Sequence, residues 1–418
     1  MKMKVCVIGA GIAGLCSAKT AIQNGMEVVV YEQANEVGGT WVYTDDIGVN
    51  EFGIDVHSSM YKGLHTNLPK EIMGYPDFPI PDQEKSYIPA SDILKFLNLY
   101  ADHFNVKEHI KFLHHVIRVR PKANQWEVIV KDLKNDKVNT EFFDFVMVCN
   151  GHYHTPVIPN YENKDKYKGK QIHSHDYRFP DPFKGETVLV IGAGPSGMDL
   201  ANEISLLAKK VVVSHHLPEQ PKSKFRNNVI QKPDVLRMTE NGVDFIDGTH
   251  DDFSIIFYCT GYKYCFPFLS MDCGVRVEDN FVQPLYKHCI NINNPTMAFI
   301  GLPFYVCASQ MMDLQARFVC KFFSGQKELP SKKEMLEDTE KEMNERWSRG
   351  YKKRQAHMMG AEQINYYNTL SEKAEIENLK PVITKIHNES SQRFIDDLTN
   401  FRKEVFRIID DETFIKIK

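Results

Sequence analysis

Short apolar runs rich in β-branched residues recur along this chain, and two of them, residues 5–8 and 188–191, run straight into the spacing Gly-x-Gly-x-x-Gly. In each case a helical pattern follows the glycines, and a second apolar run, 26–33 or 210–216, follows the helix. Strand, tight turn, helix and strand are therefore predicted twice. A further pair of apolar runs, within 144–153 and 253–264, ends in Cys-Asn-Gly and Cys-Thr-Gly, each followed by an aromatic residue, which is the internal repetition of a duplicated unit. Ahead of the first of these, 126–143 reads as a hairpin about a polar Lys134-Asn135-Asp136 turn. From about Gly325 the pattern changes. Residues 340–355 and 393–409 are charged, with Phe394, Leu398, Phe401, Val405 and Ile408 near three- and four-residue spacing, and predict amphipathic helices. Packing on the core is the default use of such a stripe, with a membrane surface or an oligomer contact as alternatives.

The pattern as a whole specifies an α/β fold with two Rossmann-like dinucleotide-binding domains, the second inserted into the first. Residues 1–160 open the first domain, 161–284 form the second, and 285–418 return to the first and add a C-terminal helical region.

The two glycine motifs are the candidate chemistry. A side chain would block both the tight turn and the approach of backbone N–H groups to a pyrophosphate at a helix N-terminus. Gly9, Gly11, Ile12, Ala13 and Gly14 make the first cradle, and Gly192, Gly194, Pro195, Ser196 and Gly197 the second. The alternative for either is a glycine-rich turn with no ligand. Downstream, Glu32, followed by Gln33, stands about where an acid takes the ribose hydroxyls of an adenosine, whereas the equivalent position of the second repeat holds His215. An acid there repels a 2′-phosphate. Ser214, His215, His216, Lys222, Lys224 and Arg226 are able to hold one, or are simply a solvated loop. The first site is read as FAD and the second as NADPH.

Composition narrows the class. At 418 residues, 42% hydrophobic and 25% charged, the chain has ample core for two or three domains, and a net charge of −4 argues against nucleic acid as a partner. The longest apolar stretch, 297–309, is too short to span a bilayer and contains Pro303. The start runs directly into a strand, so no signal peptide is expected, and nine cysteines without a C-x-x-C pair suit free thiols in a reducing cytoplasm; a removed leader would make the protein secreted instead. Four histidines, His152, His154, His173 and His175, lack carboxylate or cysteine partners at ligand spacing, and no metal is expected.

Two dinucleotides on one chain imply hydride transfer from NADPH to flavin. Without a redox cysteine pair, oxygen is the obvious acceptor. At this point the chain resembles the flavin-containing monooxygenases over roughly residues 4–320. EVGGTW (36–41) matches their E-x-G-G-x-W loop, TNLPKEIMGYPDFP (66–79) their N-x-P-K-x-x-M segment and Y-x-D-F-P, and DLQARF (313–318) their E-x-Q-A-R helix. YKGKQIHSHDY (167–177) is similar to the family fingerprint F-x-G-x-x-x-H-x-x-x-Y, with Tyr167 in place of Phe. Within the family the chain resembles the alkaloid N-oxygenases and other insect-type members, being short and without the long hydrophobic tail of the mammalian forms.

The resemblance implies that NADPH reduces FAD, that oxygen adds to the reduced flavin, and that the resulting hydroperoxide is attacked by an amine nitrogen or sulfide sulfur. It places Gly39, Thr40 and Trp41 against the flavin, Thr66 and Asn67 at its reactive edge, Gln315 at its pyrimidine edge, and His173 between the two domains. Asn67 is the catalytic candidate, since a carboxamide donates and accepts at once without a proton of low pKa. Other uses of these residues are a turn-capping Asn67, a core Trp41 and an exposed helical Gln315. Departures from the family are Pro195 where Asn is common and His215–His216 where many members have Arg; Tyr177-Arg178, instead of Trp-Pro, favours heteroatom oxygenation over ketone insertion. The expected partners are molecular oxygen and a small nucleophilic amine or sulfide, with a homo-oligomer possible. The competing readings are a two-dinucleotide oxidase or electron-transfer reductase that does not oxygenate, and a nucleotide-binding scaffold without turnover.

Overall fold

A computed structural model describes residues 2–217 and 225–417. Its first domain is a sheet of seven strands. β1 (Lys4–Ile8) lies at the centre, with β2 (Glu27–Tyr31) and β3 (Ile110–Lys111) on one side and β7 (Phe145–Val148), β20 (Met297–Phe299), β19 (Ile290–Asn291) and β18 (Leu285–Tyr286) on the other. The first five of these pair in parallel and the last two antiparallel. The second domain is an all-parallel sheet in the order β11 (Val229–Lys232), β10 (Lys210–Ser214), β9 (Thr187–Ile191), β15 (Ile255–Tyr258), β8 (Lys170–His173). It interrupts the first domain between β7 and β18, so the expected insertion is what the chain builds.

Strand alternation explains why both domains have three layers. In β1, Val5 and Val7 face α1 (Ile12–Gln23), α2 (Ala90–His103) and α4 (Ala308–Phe323), while Cys6 and Ile8 face an antiparallel meander of β4 (His114–Lys122), β5 (Gln125–Asp132) and β6 (Lys137–Phe143). In β9, Val188 and Val190 face α3 (Pro195–Ile204), while Leu189 and Ile191 face a second meander, β12 (Val235–Met238), β13 (Gly242–Phe245) and β14 (His250–Asp252). Burial on both faces is why these strands read as unbroken apolar runs. The hairpin expected at 126–143 is two strands of the first meander. A short ribbon, β16 (Arg276–Glu278) and β17 (Phe281–Gln283), leads back to the first sheet.

The glycines fix how each helix meets its sheet. Gly9 and Gly192 have φ of +104° and +106°, and a Cβ on either would stand 2.6 Å or 2.5 Å from the carbonyl oxygen of Cys149 or Cys259. The Cys-Asn-Gly and Cys-Thr-Gly echoes are therefore the chain segments that close over the two turns. Gly14 and Gly197 sit one helical turn in, where a Cβ would meet the carbonyl oxygens of Gly9 and Gly192 at 1.8 Å and 1.9 Å.

The C-terminal region corrects the sequence expectation. α5 (Lys332–Ser348), α6 (Gln363–Ala374) and α7 (Pro381–Asp396) are helical, but 340–355 stops being α-helix at Ser348, and 393–409 is not one helix. α7 ends at Asp396, a turn held by the Asp397 carboxylate, which accepts from Thr399 and Asn400, follows, and β21 (Val405–Ile408) then pairs with β22 (Phe414–Ile417). Local side-chain hydrogen bonds at Asp and Asn compete with helix, and here they win. The apolar residues still pack: Phe394, Leu398 and Phe401 are buried with Ile72 and Tyr87 of the first domain.

Gly14→Ala and Gly197→Ala are each expected to lower the thermal midpoint clearly, because the methyl must push helix from strand at a cost of about 1–3 kcal/mol or more. Calorimetry showing a wild-type midpoint for both would contradict this account of the turns.

Candidate functional site

Both helix starts leave their N–H groups open. α1 begins at Gly11 and α3 at Gly194; neither has a side-chain cap or an acid in its first turn. By contrast, α5 is closed by a capping box of Ser331 and Glu334. The unspent N–H groups at a helix N-terminus carry the positive end of the helix dipole. Gly11 and Gly194 have ordinary φ of −81° and −72°. A Cβ at Gly194 meets nothing within 4 Å, and at Gly11 only Gly39 at ordinary contact distance. The fold thus demands glycine at 9, 14, 192 and 197 but not at 11 or 194, where the bare backbone instead leaves room for a ligand. This argues against ligand-free turns and fits dinucleotide pyrophosphates. Ile12, Ala13, Pro195 and Ser196 are the first residues of these helices, with Pro195 at a position that needs no N–H.

Glu32 is buried at the end of β2, and its carboxylate is anchored: Oε2 accepts from the Ala10 N–H at 2.7 Å and Oε1 from the Ala34 N–H at 2.8 Å. Burial pushes its pKa up, and these N–H donors oppose the shift. One lone pair on each oxygen stays open, enough for a ribose diol. Gln33 Oε1 lies 3.0 Å from His115 Nδ1. Gly39, Thr40 and Trp41 form a short 3-10 turn against Gly11, and Trp41 is half-buried on the main core. Gly38 was missed: with φ of +132° and Leu94 packed beneath it, it brings this loop to the cradle through its N–H on the Ala10 carbonyl. The Gly-Gly pair was the signal for it.

Thr66 is buried, its N–H and hydroxyl both bonded to Ile88. Asn67, next to it, is exposed, and its carboxamide has no hydrogen-bond partner among the described residues. A turn-capping role is therefore not what this side chain performs.

Three expectations are corrected. Gln315 is neither exposed nor free: it is fully buried in α4, its Oε1 accepting from the Gly301 N–H at 2.9 Å and its Nε2 donating to the Tyr366 hydroxyl at 2.7 Å. It supports the 301 turn. Ser214 and His215, assigned to a 2′-phosphate, are spent inside the second domain. Ser214 donates to the Pro233 carbonyl, and His215 accepts from the Leu217 N–H while its other nitrogen lies 2.9 Å from Gln231 Oε1. His216 and Arg226 remain exposed, and Lys222 and Lys224 lie outside the described residues.

The surfaces between the domains carry contacts that sequence reasoning did not find. Arg178 is buried and donates to four carbonyls, those of His175 and Tyr177 beside it and of Asp46 and Ser58 in the first domain. His173 is buried there too, its Nδ1 accepting from the His175 N–H. Burial lowers the imidazoles of His57 to about 3 and of His152 and His173 to about 4, so they stay neutral. Tyr167, in place of Phe, satisfies its hydroxyl on the Phe253 carbonyl at 2.8 Å. On α3, Asp199 accepts from the Tyr61 hydroxyl at 2.7 Å and Glu203 lies one turn on.

Two open helix N-termini of dinucleotide-cradle geometry on a doubled α/β scaffold define the class of a two-dinucleotide protein. The comparisons carry this further. The family model for flavin-binding monooxygenase-like proteins matches residues 2–219 and 217–392. Senecionine N-oxygenase of Tyria jacobaeae is 35% identical over 99% of this chain and 91% of that protein, and flavin-containing monooxygenase FMO GS-OX5 of Arabidopsis thaliana is 38% identical over 88% and 84%. The structure of S-allyl-L-cysteine S-oxygenase from Allium sativum superposes with a TM-score of 0.91 at 31% identity, covering 97% of this chain and 96% of that one. The chain belongs to the flavin-binding monooxygenase-like family and is a flavin-dependent monooxygenase. Among the described residues no helix is long and apolar enough to cross a membrane.

Gly11→Ala is expected to fold with a near wild-type midpoint after flavin removal yet purify with little bound flavin, whereas Gly194→Ala keeps its flavin; equal flavin contents would contradict the division between the cradles. A second expectation concerns pH. Burial, then Asp199, raises Glu203 from the ordinary 4.5 to about 7. Between those values the native protein holds a proton the unfolded chain has released, so this group's contribution to stability falls as pH rises. The midpoint of Glu203→Gln relative to wild type should therefore climb from pH 5 to pH 7.5, and a constant difference would show Glu203 ionised without penalty.

Proposed function

We propose that the protein is an NADPH- and oxygen-dependent monooxygenase that converts a nucleophilic nitrogen or sulfur to its N-oxide or S-oxide through a flavin hydroperoxide. FAD occupies the first cradle and NADPH the second. The observation that carries this reading is the exposed, unpartnered carboxamide of Asn67, set beside the buried Thr66 in the segment whose residues resemble the family's. FAD when bound supplies the hydride acceptor and the oxygen chemistry. The chain's own residues position and protect. The α1 and α3 N-termini hold pyrophosphates, Glu32 takes the adenosine ribose of the first nucleotide, and Asn67 offers a donor and an acceptor that release no proton. Neutral imidazoles and cysteine thiols pushed up by burial add no ready acid or nucleophile, which suits a site that must keep stray protons from a reactive oxidant.

The relatives name both N- and S-oxygenases, so the substrate class is a soft nucleophile, with an alkaloid tertiary amine the first to try.

The deciding experiment mixes anaerobically NADPH-reduced protein with oxygenated buffer in a stopped-flow spectrometer. A flavin–oxygen spectrum that lasts many seconds and collapses on adding a tertiary amine or thioether is expected. Immediate return of oxidised flavin, unaffected by either compound, would instead mean an oxidase or electron-transfer reductase. Asn67→Leu should retain FAD but release most of its reducing equivalents as hydrogen peroxide; wild-type coupling in that variant would remove Asn67 from the mechanism.

A further inference from the structure

Arg402 lies far along the chain from either cradle, in the short turn Phe401–Lys403, and its guanidinium joins the His65–Thr66 segment of the first domain to α3 of the second. Phe401 is fully buried and anchors the backbone, and the Arg402 guanidinium lies 4.7 Å from the centre of its ring. Nη1 and Nη2 meet the two oxygens of Asp199 at 2.9 Å and 3.1 Å. Nη2 also donates to the His65 carbonyl at 3.2 Å, and Nε to the Thr66 carbonyl at 3.1 Å. Four donor contacts from one rigid fork are directed at two elements of different domains. Thr66 directly precedes Asn67. Asp199 stands in α3, about one turn from the Gly194–Pro195 start of the second cradle, and is also held by Tyr61 of the first domain.

An exposed ion pair contributes little, since both side chains stay hydrated and mobile. This one differs in kind. The Arg402 and Asp199 side chains are 28% and 18% exposed, the pairing is bidentate, and the remaining donors are fixed by backbone carbonyls that cannot rotate away. Lysine, a point charge on a flexible stem, cannot reproduce four contacts in one plane.

We propose that Arg402 is a positioning residue that locks the Asn67 segment to the helix of the second cradle, so that filling the second cradle is felt at Asn67. The proposal rests on the reading of Asn67 and the two cradles given above. Hydride transfer between two nucleotides held by different domains depends steeply on their separation, and a misplacement of about 1 Å costs on the order of a hundredfold. Arg402 fixes that separation from outside the reacting groups.

The test uses the flavin-loaded full chain and the variants Arg402→Gln, Arg402→Lys and Asp199→Asn. The first readout is hydrogen–deuterium exchange of the peptide spanning 61–72 with and without NADP⁺. In wild type, NADP⁺ slows this exchange; in the variants NADP⁺ still binds, checked by calorimetry, but the slowing is lost. The second is the anaerobic rate of flavin reduction by NADPH, expected to fall about tenfold or more while reduction by dithionite is unchanged. Arg402→Lys should behave like Arg402→Gln. Asp199→Asn, which keeps the shape of the partner, covers the case in which the Arg402 variants do not fold. Retained slowing and a wild-type reduction rate in a folded variant overturn the proposal whatever Asn67 does. If the slowing is lost while Asn67→Leu stays coupled, the lock stands and the reading of Asn67 fails.

Discussion

The carbonyl oxygens of Gly9 and Gly192 decide the layout of the molecule. Each points at a glycine one helical turn further on, closer than any side chain permits, and this lets α1 and α3 start almost on top of the strands that feed them. From that contact follow the direction of both helices, the aim of their unsatisfied N–H groups, and the placing of the Cys149 and Cys259 segments that close over the turns. The two binding faces are alike because one steric constraint is met twice. They differ in what the following strand delivers, an anchored carboxylate in one case and an internally bonded histidine in the other, and in the Gly38–Trp41 loop that packs against the first alone.

Most of the fold was legible in the chain because it is doubled. Short apolar runs buried on both faces, glycines at fixed spacing and the Cys-Asn-Gly echo are local signals, and the insertion of one domain in the other followed from their order. What escaped was the choice of hydrogen-bond partner. Gln315 and His215 have polar ends that any of several ligands could take, and the partners Gly301 and Tyr366 of the one and Gln231 of the other come from elements that no spacing rule links to them, while Leu217 closes a local turn on His215. The 393–409 stripe failed for a different reason. Its first three apolar residues, Phe394, Leu398 and Phe401, are buried as their spacing implied, but Asp397 with Asn400 turns the chain between them, and beyond it Val405 is half-buried and Ile408 exposed on a strand. Arg178 and Arg402 were invisible because an arginine with carbonyl partners looks like any surface charge in sequence.

The interior is chemically quiet. Eight of the nine cysteines are buried as free thiols, and burial pushes those of Cys149, Cys259 and Cys307 well up, far from the thiolate that exchange chemistry needs. This is the opposite of what a dithiol reductase requires. The polar groups that are active in the architecture are held by main-chain atoms: Glu32 by two N–H groups, Arg178 by four carbonyls, Thr66 by Ile88. Main-chain partners are stiff, so these side chains serve as rivets, whereas the exposed amide of Asn67 has no such partner among the described residues.

The insertion also bears on how the chain comes to be folded. In the first sheet Val146 pairs with Met297, and the whole second domain is threaded between them. Along the chain β1, β2 and β7 come before the second domain and β18, β19 and β20 after it, so the β7 edge of the first sheet has no partner until the whole second domain has been translated. Closing the long loop before its contacts repay it is slow, and an open parallel edge is where chains associate wrongly. The guest domain is therefore translated in full before its host can close, and the first sheet acquires its last strands from a segment made after the whole of its neighbour.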